Sequence, residues 1–177
     1  MSVSSLKTIP IHNKIPKYGY PVNRTMIALE SGKLMATLKL KGIPFESESE
    51  STLDQAFEAV SGLLNQLAKA CGSRLAVWSH IIKRQDVLDT QYQFDSEFVQ
   101  SFADKYLASF AGQTFFTTDY CLTFVFQYKD GLESGMEEFE DLVKLAQSVL
   151  RRFDCSVMQI NDDGSRCAHI EFLSFLL

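Results

Sequence analysis

The chain has 177 residues, 46% of them hydrophobic and 12% aromatic, with a formal net charge of −5. That length can bury one core without staples, and no apolar run reaches the ~18 residues of a membrane span. The start, MSVSSLKTIPIHNK, lacks the apolar centre of a secretory signal, and Cys71, Cys121, Cys155 and Cys167 form no CxxC pair, the usage of a reduced cytoplasmic protein.

The charge is unevenly spread. Residues before Glu30 include Lys7, Lys14, Lys17 and Arg24 and no acid, while Glu46, Glu48, Glu50, Asp54 and Glu58 crowd one short region. A basic arm beside an acidic body suits anionic lipid, nucleic acid or an acidic partner, and equally a solvated tail. The acidic total argues against nucleic acid as the main ligand of the body. Pro10, Pro16 and Pro21, with Gly19, predict an extended arm over 1–24. Residues 25–177 are read as a single α+β domain.

Met26–Leu29 and Leu34–Leu40 flank Glu30-Ser31-Gly32-Lys33, where Gly32 can supply the positive φ of a hairpin turn. Alternation assigns Leu34, Ala36, Leu38 and Leu40 to the buried face of the second strand, and Gly42 and Pro44 end it. A first helix carries Leu53, Phe57, Val60, Leu64, Leu67 and Cys71 at spacings of three and four, with Thr52 and Gln55 as a capping box and Gly72 as its stop. Leu75–Arg84 reads as a strand with two mostly apolar faces, hence a central one. Trp78 and His80 share one of its faces and Val77 and Ser79 the other.

A loop near Gln85–Phe94 is the best candidate for a mobile insert. The second helix opens at Asp95 with Phe98, Phe102, Tyr106 and Phe110 on one stripe. Tyr120–Tyr128 is a further strand. Ser134 and Glu137 cap a third helix with the stripe Phe139, Leu142, Val143, Ala146, Val149, Leu150 and Phe153, and Arg151 and Arg152 complement its C-terminal dipole. Ser156–Ile160 forms a short strand before the turn Asn161–Gly164. The expected fold is therefore α+β: a mixed or antiparallel sheet of about five strands against three main helices. The order is β-β-α-β-α-β-α-β, followed by a truncated helix, with helices mainly on one face. The apolar end Phe172–Leu177 reads as continuing into a longer protein.

Chemistry is sparse. Ser31-Gly32-Lys33 lacks the upstream glycine of a phosphate-binding loop and leads into a strand rather than a helix. His12, His80 and His169 have no local nucleophile pattern, and Cys167 with His169 offers two ligands where zinc takes four. Asp162-Asp163-Gly164 has the chemistry of a turn and lacks the remaining ligands of a calcium loop. Catalytic, cofactor and metal residues are thus read as none. The candidate interaction residues are Lys7, Lys14, Lys17 and Arg24 of the arm, with Phe115 and Phe116 as a surface anchor.

The hairpin Ile27–Leu40, Gly42-Ile43-Pro44-Phe45, the helix after it, Ala76-Val77-Trp78-Ser79-His80, Lys83-Arg84, Phe102–Tyr106 and Tyr120–Val125 occur in an order of their own. In that order the chain resembles the N-terminal domain of the type IV secretion and conjugation ATPases, the CagE/TrbE/VirB family, across about residues 8–177. The resemblance implies a cytoplasmic subunit peripheral to the bacterial inner membrane. ATP and Mg would be used by a C-terminal motor domain of the full-length protein, and no cofactor is expected in this chain. The implied role is non-catalytic docking, against inner-membrane secretion-channel proteins and between protomers of a homo-oligomer. Nucleic acid is not an expected ligand of the domain, and the basic arm fits a peripheral membrane contact. Two readings of other classes stand beside it: a stand-alone small-molecule-binding or enzymatic domain with a pocket near Trp78 and His80, and a nucleic-acid accessory domain using the arm.

Overall fold

A computed structural model describes residues 17–44, 46–86, 92–110, 112–161, 164 and 166–175. The described residues gather into two compact units, one from those up to His80 and from Tyr120 onward, the other from those between Ile81 and Asp119.

The strands are β1 (Tyr18–Pro21), β2 (Ile27–Leu29), β3 (Lys33–Leu40), β4 (Leu75–Asp86), β5 (Phe115–Gln127) and β6 (Cys155–Val157). The helices are α1 (Glu50–Cys71), α2 (Glu97–Ala108), α3 (Leu132–Val149) and α4 (Ala168–Ser174). One sheet of six strands runs β1-β2-β3-β5-β4, with β6 beside β3. β2 occupies one half of an edge of β3, at Lys33–Met35, and β6 the other, at Leu38–Leu40; both pairings are antiparallel. The α+β expectation holds, with one strand more than expected. Tyr18–Pro21, read as part of the extended arm, pairs with β2.

The β2–β3 hairpin forms at the expected turn, with left-handed φ of 66° at Ser31 and 69° at Gly32. β3 is the central strand, paired with β5 from Lys33–Gln127 to Leu40–Tyr120. It is buried on both faces, not one: Leu34, Ala36 and Leu38 are covered, and so are Met35 and Thr37. The Thr37 and Thr123 hydroxyls meet at 3.1 Å, which satisfies both buried groups across the ladder.

One face carries the main core, where α1 and α3 bring Leu63, Leu67, Phe139, Val143 and Ala146 onto Leu38, Phe124 and Phe126. The Phe126 and Phe139 rings stack at 5.4 Å. Arg74 lies 5.0 Å above the Phe126 ring and grips Glu138 through two hydrogen bonds of 2.7 and 3.0 Å. That grip holds the Glu138 carboxyl below the usual carboxylate range. Gly135 permits a close approach: a Cβ there would run into the Tyr128 side chain.

Three helix starts differ from the sequence reading. Ser49, rather than Thr52, caps α1 and accepts from the Thr52 backbone N–H, while Gly72 ends the helix as expected. Ser96 rather than Asp95 precedes α2. Gly131, at φ 101°, starts α3 three residues before Ser134.

β4 is the largest departure. Expected to be central and covered, it lies at the end of the strand order and is mostly exposed, with Trp78 60% accessible. An apolar pattern on both faces records that cover is wanted, without naming the element that supplies it. The expectation of helices mainly on one face needs a similar adjustment. His80, which alternates with the residues facing α1, meets the Phe172 ring of α4 edge-on at 5.1 Å, so α4 covers the opposite face of the sheet. Gln85 and Asp86 of the expected mobile loop belong to β4, and residues 87–91 lie outside the described residues.

Candidate partner-docking surface

The first unit contains an apolar cleft of about 590 Å³. β3 ends there because Gly42 turns the chain away, and both Lys41 and Gly42 donate backbone N–H groups to the Phe153 carbonyl at 3.1 Å. That turn leaves Leu40 and Ile43 on one wall. α1 contributes Val60 and Leu64, and β4 contributes Val77 and Ser79. Tyr120 and Leu122 of β5 and Leu150 and Phe153 of a 3₁₀ turn complete it. The walls are almost wholly aliphatic and aromatic, so the cleft suits burial of apolar groups rather than proton transfer.

α1 explains why the cleft stays open. Its buried residues are Ala56, Leu63, Leu67 and Cys71: Leu67 and Cys71 belong to the stripe read in the sequence, while Ala56 and Leu63 are buried in place of Phe57 and Leu64. Phe57, assigned there to the core, is 74% accessible, and Leu64 is 46% accessible at the cleft. Helical spacing gave the right side of the wheel and misplaced its centre, because Leu63 rather than Leu64 joins the core with Leu38 and Phe124.

The pocket expected near Trp78 and His80 is not where the cleft lies. Val77 and Ser79 line it, so Trp78 and His80 belong to the other face of β4. Burial lowers the His80 imidazole below its ordinary value. His169 of α4 is 1% accessible, and neither ring nitrogen makes a hydrogen bond of full geometry among the described residues. Burial pushes its pKa down, partly offset by the backbone of Thr25 and Met158. The sequence reading weighed this residue only with Cys167, as two ligands where zinc takes four, and nothing in that pairing marks its burial.

Lys17 pairs with Glu30 at 3.2 Å, and Arg24 reaches the Ile160 carbonyl at 3.4 Å. Lys7 and Lys14 lie outside the described residues, as do His12, Asp162 and Asp163. Among the described residues no group of three or more His, Cys, Asp or Glu side chains is placed to hold a metal. Nor is any helix long and apolar enough to cross a membrane.

The second unit presents apolar surface of a different kind. Phe98, Phe102 and Tyr106 recur every four residues along α2 and are all exposed, and no residue of that helix is buried. The sequence stripe is therefore real, but it does not face a core. Phe110 closes against Tyr106 at 4.9 Å and against Phe115 at 5.8 Å. Phe116 is half exposed beneath the Lys83 ammonium, 4.3 Å from the ring. Of the two anchor residues, Phe115 is thus occupied within the unit and Phe116 is presented outward. Arg84 forms an ion pair with Asp119.

What these residues assemble is an α+β domain whose distinctive surfaces are apolar rather than ionisable. Residues 25–133, more than half of the chain, match the family described as the type IV secretion system ATPase VirB4/TrbE, N-terminal domain. The type IV secretion system protein virB4 of Bartonella quintana (strain Toulouse) is 26% identical over 139 residues, covering 78% of this chain and 17% of that protein. Its counterpart in Bartonella henselae (strain Houston 1) is 29% identical over 119 residues, 67% of this chain and 14% of that protein. The chain belongs to the VirB4/TrbE family of type IV secretion ATPases and corresponds to its N-terminal domain. It spans less than a fifth of the length of these relatives.

Proposed function

We propose that this chain is the non-catalytic docking and assembly domain of a type IV secretion or conjugative-transfer ATPase. It holds the protein to inner-membrane channel components and to neighbouring protomers, on the cytoplasmic side and peripheral to the membrane. ATP and Mg are handled elsewhere in the full-length protein. The observation that carries this reading is the family match to an N-terminal domain, in a sequence that has no phosphate-binding loop. Two further features support it. The open cleft and the α2 stripe leave more contiguous apolar side chain exposed than isolated surface residues would. Lys17 and Arg24, half of the basic arm's cations, already have partners on this chain, which weakens a nucleic-acid role.

The reading is tested by deleting residues 1–177 from the full-length protein. The truncated protein should keep ATP turnover and lose co-fractionation with the channel's membrane proteins. ATP turnover by residues 1–177 alone, abolished by one substitution within them, would overturn the division of labour.

A further inference from the structure

We propose that the apolar cleft receives an amphipathic helix of a partner protein, with the basic flank of that helix laid along α1. This rests on the docking reading and names where docking occurs and what is recognised. The cleft is of the size that receives several apolar side chains. It continues beyond its own walls, because Leu64 at its edge and the exposed Phe57 stand two turns apart on α1. They form a ridge about 10 Å long. An elongated ridge beside a cleft matches anchors spaced i, i+3/i+4, i+7 on a helix better than a compact small molecule.

The charges beside the ridge give the partner its polarity. Glu50, Asp54 and Glu58 recur every four residues and form one row next to Phe57 and Leu64. All three are exposed, and none has an ion-pair partner among the described residues. Glu46 and Glu48 extend this charge back toward Ile43. The opposite lip differs: Lys41 is closed by Asp154 at 2.7 Å, and Arg151 and Arg152 are exposed in the turn that supplies Leu150 and Phe153. The cleft is therefore acidic along α1 and basic along the turn. Complementary charge fixes the orientation of a docked helix more than its affinity. A second copy docked α1 to α1 would set two acidic rows against each other, and an anionic lipid headgroup laid along α1 would meet the same repulsion.

Two synthetic helical peptides of about 18 residues, with the same leucine pattern and either lysine or glutamate on the polar face, are titrated into the 177-residue chain. The lysine peptide should bind and shift the methyl resonances of Val60, Leu64 and Val77, and the glutamate peptide should not. Leu64→Asp should weaken the lysine peptide about tenfold or more. Asp54→Lys with Glu58→Lys should weaken it several-fold and admit the glutamate peptide. These positions are exposed, and the unfolding midpoints of the variants, measured alongside, should match that of the wild type. Equal binding of both peptides, shifts confined to α2, no effect of Leu64→Asp, or self-association abolished by Leu64→Asp would each overturn the proposal. If channel proteins bind the wild type and Leu64→Asp alike, docking stands and the cleft assignment falls; if they bind neither, the docking reading falls with it.

Discussion

In α3, Phe139, Val143 and Ala146 are buried against the sheet, and Phe139 stacks on Phe126. In α2, Phe98, Phe102 and Tyr106 repeat at a closely similar spacing and stand in solvent, Phe98 80% accessible. Both helices show the periodicity of an amphipathic segment, and among the described residues only the α3 stripe is covered. Periodicity reports that a helix has an apolar side. It does not report whether that side is covered by the same chain or kept for another.

The sharpest way to break this contrast is to truncate one ring in each helix. Phe139→Ala should cost about 3–5 kcal/mol in urea unfolding, the range for a buried aromatic. Phe102→Ser should stay within about 0.5 kcal/mol, as an exposed substitution. Comparable losses would mean that the α2 stripe is core. Gly135→Ala comes next. The new methyl would meet Tyr128, and a loss of about 1–3 kcal/mol is expected from overpacking; a neutral result would show that the start of α3 can shift.

Titration gives smaller effects. The folded-state pKa of His169 is lowered, so the unfolded chain takes up the proton first. The resulting stability is present above the ordinary value of 6.5 and is lost as pH falls through the lowered one. His80 contributes in the same sense. Urea midpoints should drop between about pH 7.5 and pH 5.5, and His169→Leu should flatten that drop; a slope unchanged by the substitution would place its origin elsewhere. Glu138→Gln should have the least effect, since the pair with Arg74 is partly exposed. Its loss should show above the carboxylate's ordinary value and fade in acid, where the wild type loses the same interaction.

The sequence made some of this fold legible and left the rest dark for identifiable reasons. The β2–β3 hairpin could be read because Gly32 names its turn, and the α3 stripe because seven apolar residues leave one solution. Family membership could be read from the order of short motifs. The strand order could not: β4, with apolar residues on both faces, reads as central and lies at the edge. Which element covers a strand is a long-range fact, and β5 pairs with β3 across a long separation in the chain, from Leu40–Tyr120 to Lys33–Gln127. The cleft was equally hidden. Leu40, Val60, Val77 and Leu150 each look like core, and only their assembly shows a gap. Trp78 and His80, the residues that catch a chemist's eye, belong to the opposite face of β4.

Docking without catalysis can be measured by capture. Immobilised residues 1–177 are exposed to detergent-solubilised inner membrane from cells expressing the cognate secretion channel, and retained proteins are identified by mass spectrometry. Channel components should be retained, unaffected by ATP and with no ATP consumed. Failure to retain any channel component, or retention that requires ATP turnover by this chain, would contradict docking without catalysis.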